Sequence, residues 1–429
     1  MVISFVGGYL FLPEYEISLL GPFDYEKMAV ASYSVIIATL IFNAERFTSF
    51  RPNWLDFPMI FYCCISPVVT ALNNDLTWYD GFSDACYQFI KWGAPYFLGR
   101  MYLSSLEGLR KLAVGILIGG LLYVPLCLYE VRMSPQLHNQ IYGFYALRQF
   151  SQAFRWGGYR PSVFLRHGLS LGNWMMATTL IAFILWRTKA IIQILDIPMK
   201  WIFWILVVNI IAVKSLGAWL TLTTGLLIFV AVRLCRKSAI LLAVILSIIV
   251  YYGIAASGNF DGQGIVDFFS ENVSEERAQS LSFRFENEEL LSERAREQPM
   301  WGWGGYGRNR VIDGWGTDLT ITDSWWVITF GIHGAAGLIS LGIAMLLPVV
   351  LFIRRYPGRT WGSARVAPAA ALAIVVVMYM LDNALNNQYN PVFALVAGSI
   401  EGLVLRQPEP SLRTAANKFS RSRVPRSIY

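Results

Sequence analysis

Along this chain the polar residues are the interruptions. Apolar runs recur near Met28–Phe42, Phe57–Leu72, Phe82–Phe97 and Leu112–Tyr129, then near Leu169–Trp186, Trp201–Val213, Leu216–Val232 and Ala239–Ala255. Three more follow at Ser324–Ile353, Val366–Leu381 and Pro391–Leu405. Runs of ~17 to 25 apolar residues match a helix crossing the ~30 Å hydrocarbon layer. A membrane barrel would need short alternating segments instead, and the chain has none. Val2 to Leu12 is apolar but only about half a span long. It lacks the basic region and small-residue cleavage site of a signal peptide. It reads as a short or tilted first helix, or the true start lies upstream. The pattern predicts an all-α polytopic membrane protein of about twelve helices, with 1–405 as a single transmembrane domain.

Two polar segments and a tail break the pattern. The first, Glu130 to Arg166, carries Arg148, Arg155, Arg160 and Arg166, and the outer-face unit it defines runs over 130–167. The second, Ser257 to Asp323, is the long hydrophilic insertion. It mixes acids with Arg277, Arg284, Arg294, Arg296, Arg308 and Arg310, and contains the run Trp301-Gly302-Trp303-Gly304-Gly305-Tyr306-Gly307. The tail, 406–429, is basic, polar and expected to be disordered.

Assigning alternate loops to alternate sides separates the charges. One side collects Arg46, Arg51, Lys91, Arg100, Arg110 and Lys111, the bases of 187–200, 233–237 and 354–365, and the tail. The other side holds most of the acids. Positive residues mark the cytoplasm, so both termini are expected there and both polar segments on the outer face, which in a bacterium is the periplasm.

Composition sharpens this in three respects. Hydrophobic residues make up 55% of the chain, more than a soluble protein of this size needs for its core. The 15 Trp and 21 Tyr suit two interfacial aromatic belts. The five cysteines, Cys63, Cys64, Cys86, Cys127 and Cys235, follow no zinc or disulfide spacing. The net charge of +7 sits on one side, which points to anionic lipid headgroups and not to a nucleic-acid partner.

Four places carry candidate chemistry. In Tyr159-Arg160-Pro161-Ser162-Val163-Phe164-Leu165-Arg166-His167-Gly168, Pro161 keeps Arg160 extended and ends any helix. Arg160, Arg166 and His167 are thereby held at headgroup level before a span. Arginine forks suit phosphate oxygens, and His167 is either a base or the cap of the next helix. Lys214, in Val213-Lys214-Ser215-Leu216-Gly217, lies in a very short break between two apolar runs. It is a ligand contact or a snorkelling side chain. In the large loop a helix is expected from Glu275, capped by Ser274, with Leu281 and Phe285 on one side and Arg277 and Arg284 on another. The glycines after Pro299 end that helix and allow backbone to approach a ligand. In Thr322-Asp323-Ser324, Asp323 or Ser324 is an N-cap, or Asp323 acts on an acceptor hydroxyl. His333 reads as a buried polar contact. Asn383 and the Asn386-Asn387-Gln388 run form a polar outer rim suited to sugar hydroxyls or to a simple loop.

These places together resemble the O-antigen ligase and polysaccharide polymerase superfamily. Arg160 to Gly168 resembles its Arg-plus-His-Gly stretch, and Lys214-Ser215-Leu216-Gly217 its Ser-Arg-Gly turn. Arg284 with Pro299 and Gly302-x-Gly304 resembles its loop motif. The segment Asp323 to Gly337 resembles its post-loop helix. The likeness covers roughly Arg160 to Leu405, and the first half of the chain shares only the topology.

The resemblance implies a GT-C-like membrane glycosyltransferase that uses undecaprenyl-diphosphate-linked glycans without a metal or other cofactor. His167, Asp323 and Arg284 would be catalytic. Arg160, Arg166, Lys214, Arg284, Arg308 and Asn383 would bind substrate. Partners would be the lipid-linked donor, a glycan acceptor, membrane lipids and a chain-length regulator or other polysaccharide-assembly protein. Asp323 stands where ligases carry a His, which favours a polymerase over a ligase to lipid A core. Transfer to protein is the alternative in the same fold. A transporter of inorganic carbon or lipid-linked sugar is the alternative of another class; it would call for acids or broken helices deep in the membrane.

Overall fold

The computed structural model describes residues 1–17, 24–146, 150–272, 274–321 and 324–406. Arg148, Asp323 and the tail beyond Arg406 lie outside them, as does the side chain of Arg277. The described chain is mostly helical. Its principal helices are α1 (Val2–Phe11), α2 (Lys27–Phe42), α3 (Trp54–Asn73), α4 (78–102), α5 (Leu106–Met133), α6 (Gly168–Arg187) and α7 (Met199–Ala212). They continue as α8 (Leu216–Cys235), α9 (Ala239–Ala256), α10 (Gln263–Asn272), α11 (Glu275–Arg296), α12 (Trp325–Arg355), α13 (Ala367–Asp382) and α14 (Pro391–Leu405). Among the described residues, α3, α5, α6, α8, α9 and α12 are long and apolar enough to cross a membrane, while α1, α2, α7, α13 and α14 are apolar but shorter. The chain is thus a helical membrane protein. Among the described residues there are also short helices and turns and three two-residue β ladders.

Burial orders the bundle. Helix α13 is enclosed along its length, with Ala369 to Tyr379 at 0% exposure, and its alanines let α6, α8 and α5 approach it. Helices α4 and α14 pack through small residues, Gly99 against the Leu395 carbonyl and Gly398 against the Tyr96 carbonyl, the close approach that membrane helices use. By contrast, Leu220 and Leu227 of α8 and Leu246, Ile249 and Val250 of α9 point outward, as expected of lipid-facing positions.

Three of these helices depart from a regular ladder. In the α3–α4 hairpin, π-turns at Phe61–Ile65 and Phe89–Gly93 face each other. Lys91 therefore lies midway along a continuous helical segment, not at its basic end as the charge alternation suggests. In α12, Gly334 adopts φ 65°, ψ −170° and kinks the helix. A straight helix would pair Ala335 N–H with Gly331 C=O and Ala336 N–H with Ile332 C=O.

The backbone of 299–304 enters this break. Ala335 and Ala336 donate to the carbonyls of Pro299 (2.8 Å) and Met300 (3.1 Å), while Trp303 and Gly304 donate to the carbonyls of Gly331 (2.8 Å) and Ile332 (2.9 Å). Two intrahelical bonds are exchanged for four between segments, so no buried backbone group is sacrificed. The glycine run expected to approach a ligand approaches a helix instead. Gly302, at φ 72°, has no room for a Cβ between the backbones of Ile332 and Gly334. Thr70 and Asn74 of the α3–α4 hairpin donate to the Trp301 and Gly302 carbonyls. The Trp303 indole donates to the Arg294 carbonyl at 2.7 Å, with the Arg294 guanidinium over its ring.

Gly302→Ala meets both a positive φ and backbone contact. We expect it to lower the stability of the purified protein by about 1–3 kcal/mol, read as a fall in melting temperature. The same change at Gly305, where a Cβ meets nothing within 4 Å, should leave it within ~0.5 kcal/mol.

Candidate functional site: an arginine-lined cavity

At one end of the bundle a cavity of about 800 Å³ opens between α2, α4, α6, α8, α11 and the α13–α14 connection. Its wall carries Lys91, Arg155, Arg160, Arg166, Lys214 and Arg284 together with His167. The acids on it are Glu14 and Glu26. Three of these bases come from one segment, and the others from separate elements.

The arginine segment begins with a tight hairpin. Phe154–Arg155 pairs with Gly158–Tyr159, and the two linking residues, Trp156 and Gly157, both have positive φ, the turn whose twist suits a two-residue hairpin. Trp156 stacks near Trp219 of α8, with ring centroids 4.8 Å apart, and Arg160 N–H donates to the Ala153 carbonyl at 2.7 Å. Beyond it, Glu130 of α5, with 0% exposure, accepts backbone N–H bonds from Leu137 (3.0 Å), Ser162 (2.9 Å) and Val163 (2.7 Å). These bonds hold Val163 at φ 56°, an uncommon conformation for a β-branched residue. Glu130 is thus the anchor of the whole segment. A single Glu at the end of an apolar run gives no sign in the sequence of its partners 32 and 33 residues on.

Arg160 is buried and donates to Ser215 Oγ at 3.2 Å, so it crosses from the segment before α6 to the turn before α8. Its stem lies against Gly168. Lys214 sits in that turn at φ 54°, another sparsely populated conformation, with its ammonium against Gly158. Arg166 is exposed on the wall. Among the described residues neither Arg166 nor Lys214 makes a salt bridge.

Arg284 comes from α11, which lies across the end of the bundle. Glu288 fixes that helix by accepting from Tyr251 Oη of α9 (2.8 Å) and from Ser324 Oγ at the start of α12. Ser324 therefore holds the N-cap position but spends its hydroxyl on Glu288. Arg284 Nη1 donates to Leu385 O (2.8 Å) and Asn386 Oδ1 (2.9 Å). Asn386 donates to Asp382, which also accepts from Asn173 Nδ2 of α6 at 3.0 Å. This chain ties three helices to one guanidinium. Leu281 lines the cavity beside Arg284, whereas Phe285 packs on Phe260. The two apolar residues, one turn apart on the same side of the helix, thus meet different neighbours.

His167 caps α6. Its Nδ1 accepts from Leu169 N–H at 3.1 Å and its Nε2 faces Gln152 Oε1 at 2.9 Å. Burial, and then Arg160, Arg155, Arg284 and Arg166, push its pKa down to about 4. Such a ring is neutral at pH 7 and a weak base, and it registers the positive field of the cavity. Lys91 donates to Tyr87 Oη at 2.7 Å and lies over the Tyr389 ring. Burial holds the Glu26 carboxyl above its usual range, with Lys91 acting in the opposite direction.

Arg308 and Asn383 lie off the cavity wall. Arg308 follows the glycine run and bonds the Gly305 carbonyl at 3.2 Å, on the side of the α3–α4 hairpin. Asn383 is buried, and its Oδ1 accepts from Gln388 N–H at 2.8 Å, which shapes the α13–α14 connection. His333 is buried, with Nδ1 4.0 Å from Asp84 Oδ2. Among the described residues no group of three or more His, Cys, Asp or Glu is arranged to hold a metal ion. Compared with known protein families and with curated proteins, the chain matches none.

A His with a folded pKa near 4 and an unfolded value near 6.5 leaves the unfolded chain binding more protons between those values. Its contribution to stability is complete above pH ~6.5 and is lost as pH falls towards ~4. His167→Asn keeps a good cap without a titrating ring. We expect melting temperature to fall less steeply between pH 6.5 and 4.5 in this variant than in the wild type; equal slopes would remove the assignment.

Proposed function

We propose that the protein transfers or polymerises glycan repeat units from a lipid diphosphate at the arginine-lined cavity. The observation that carries this reading is the meeting of Arg160, Arg166, Lys214 and Arg284 on one wall, although they come from three segments spread over more than 100 residues of sequence. A diphosphate leaving group gains negative charge in the transition state, and fixed guanidinium and ammonium groups in a partly dry cavity stabilise it without reorganisation. An elongated apolar tail would leave the cavity sideways into the bilayer, where α2 and α8 contribute Met28 and Leu220 to the wall. An acceptor sugar hydroxyl would attack the anomeric carbon, with the amides of 386–388 at hand for sugar hydroxyls. The second cavity, at the far end of the bundle, shares no lining residue with the first, which supports chemistry at one surface over passage through the protein.

In this reading the twelve apolar segments all cross or enter a bacterial inner membrane. Both termini are cytoplasmic, and the cavity and the 257–323 loop face the periplasm. Reporter fusions at Gly262 and at the C-terminus should then report opposite sides, and the same side for both would refute the arrangement.

The chemical test uses purified protein, a lipid-linked repeat unit and excess chelator. Arg284→Ala should reduce polymer formation about a hundredfold or more while protein level is kept. Arg284→Lys should restore only part, because a point charge replaces a fork that bonds two oxygens. Full activity in Arg284→Ala would end its assigned role, and activity lost to chelator and restored by metal would end the metal-independent mechanism.

A further inference from the structure

At the opposite end of the bundle lies a smaller hollow of about 290 Å³, between the ends of α4 and α14 and the 43–53 connection. Four guanidinium groups line it: Arg46, Arg51, Arg100 and Arg406. They are not equivalent. Arg100 is committed to the fold. It pairs with the fully buried Asp56, has Glu401 at 3.9 Å, and lies against the Phe50 ring at 4.6 Å. It also donates to the Arg51 carbonyl at 3.1 Å. Asp56 in turn closes a capping box with Asn53. The backbone that carries Arg51 is therefore fixed from both sides before any ligand arrives.

The other three arginines have no such employment. Among the described residues, Arg46, Arg51 and Arg406 make no salt bridge. Arg46 donates only weakly, to the Met101 carbonyl at 3.4 Å, and lies over the Tyr102 ring at 5.3 Å. Ser49 and Ser104 add hydroxyls to the wall, and Phe50, Met101 and Leu405 add apolar surface on the same hollow. Three like charges around one small space repel each other, and the arrangement is relieved by an anion. Guanidinium forks match phosphate oxygens bidentately. The apolar flank suits a phosphate that carries a hydrocarbon body, and basic pockets at the ends of membrane helices recognise lipid headgroups in this way.

We propose that this hollow binds a phosphate ester, supplied by the headgroup of an anionic phospholipid. The site stands apart from the arginine-lined cavity, and its occupant would hold the 43–53 connection, α4 and α14 together from the bilayer side.

The experiment measures phosphatidylglycerol binding to the detergent-purified full-length protein by native mass spectrometry, with phosphatidylcholine as the neutral comparison. The test variant is Arg46→Gln/Arg51→Gln/Arg406→Gln. The control, Lys200→Gln/Arg236→Gln/Lys237→Gln, removes the same charge elsewhere at that end, where Lys237 packs by Gly358 and Arg355 reaches the Val404 carbonyl. Phosphatidylglycerol affinity should fall on the order of tenfold or more in the test variant and stay near wild type in the control. Competition of the lipid by millimolar glycerol phosphate would support the phosphate site and identify a soluble ester as a second source. Lipid retained without competitor effect, but lost in the test variant alone, supports the lipid source. Equal loss in both variants, or loss in neither, overturns the proposal. The Arg284→Ala protein should bind the lipid as wild type does, so the outcome is independent of the glycosyl-transfer reading.

Discussion

The exchange of hydrogen bonds at Gly334 constrains much of the molecule. A helix broken inside a membrane leaves N–H and C=O groups that lipid cannot satisfy, each costing several kcal/mol. Here the backbone of 299–304 satisfies all four. The hydrophilic loop is therefore not an appendage to the bundle but a part of one of its long helices. That attachment fixes the end of α11, and Glu288 fixes its middle through Tyr251 and Ser324. Between the two, the helix has little freedom to move, and Arg284 is presented over the cavity at a set height.

The same economy of supports runs through the cavity. Six bases face a space with two carboxylates, an arrangement that costs stability by mutual repulsion. The fold sustains it with backbone held in sparsely populated conformations at Val163 and Lys214 and with neutral anchors at two of the charges: the Leu385 carbonyl and Asn386 for Arg284, Tyr87 for Lys91. Neutral partners fix a guanidinium in place without cancelling its charge. A salt bridge would have given the same rigidity and weakened the positive field that, after burial, helps depress the His167 pKa.

Much of this was legible in the sequence, and the parts that were not share a physical reason. The apolar runs announced the helices because a bilayer imposes a length on every span; even so, the run expected from Leu112 begins at Leu106. The meeting of Arg160, Lys214 and Arg284 followed from where their segments fall relative to the spans. Lys91 was misplaced because alternation assumes that a charge marks a helix end, and a π-turn in mid-helix violates that assumption. The glycine run was legible as backbone in close contact, but not with what: composition shows that a Cβ is missing, never which neighbour needs the room. Arg308 and Asn383, expected on the site, lie off the cavity wall, and nothing local in the sequence distinguishes an amide that shapes a turn from one that meets a sugar.

Glu130 has a consequence for how such a chain can diverge. Its three partners are backbone N–H groups, which every residue except proline supplies. The side chains of Leu137, Ser162 and Val163 can therefore drift without disturbing the anchor, provided none becomes proline, whereas the carboxylate cannot. In related chains the residue that orients the arginine segment would be found not within the recognisable motif but some 30 positions upstream, at the far end of a long apolar helix that carries no part of it.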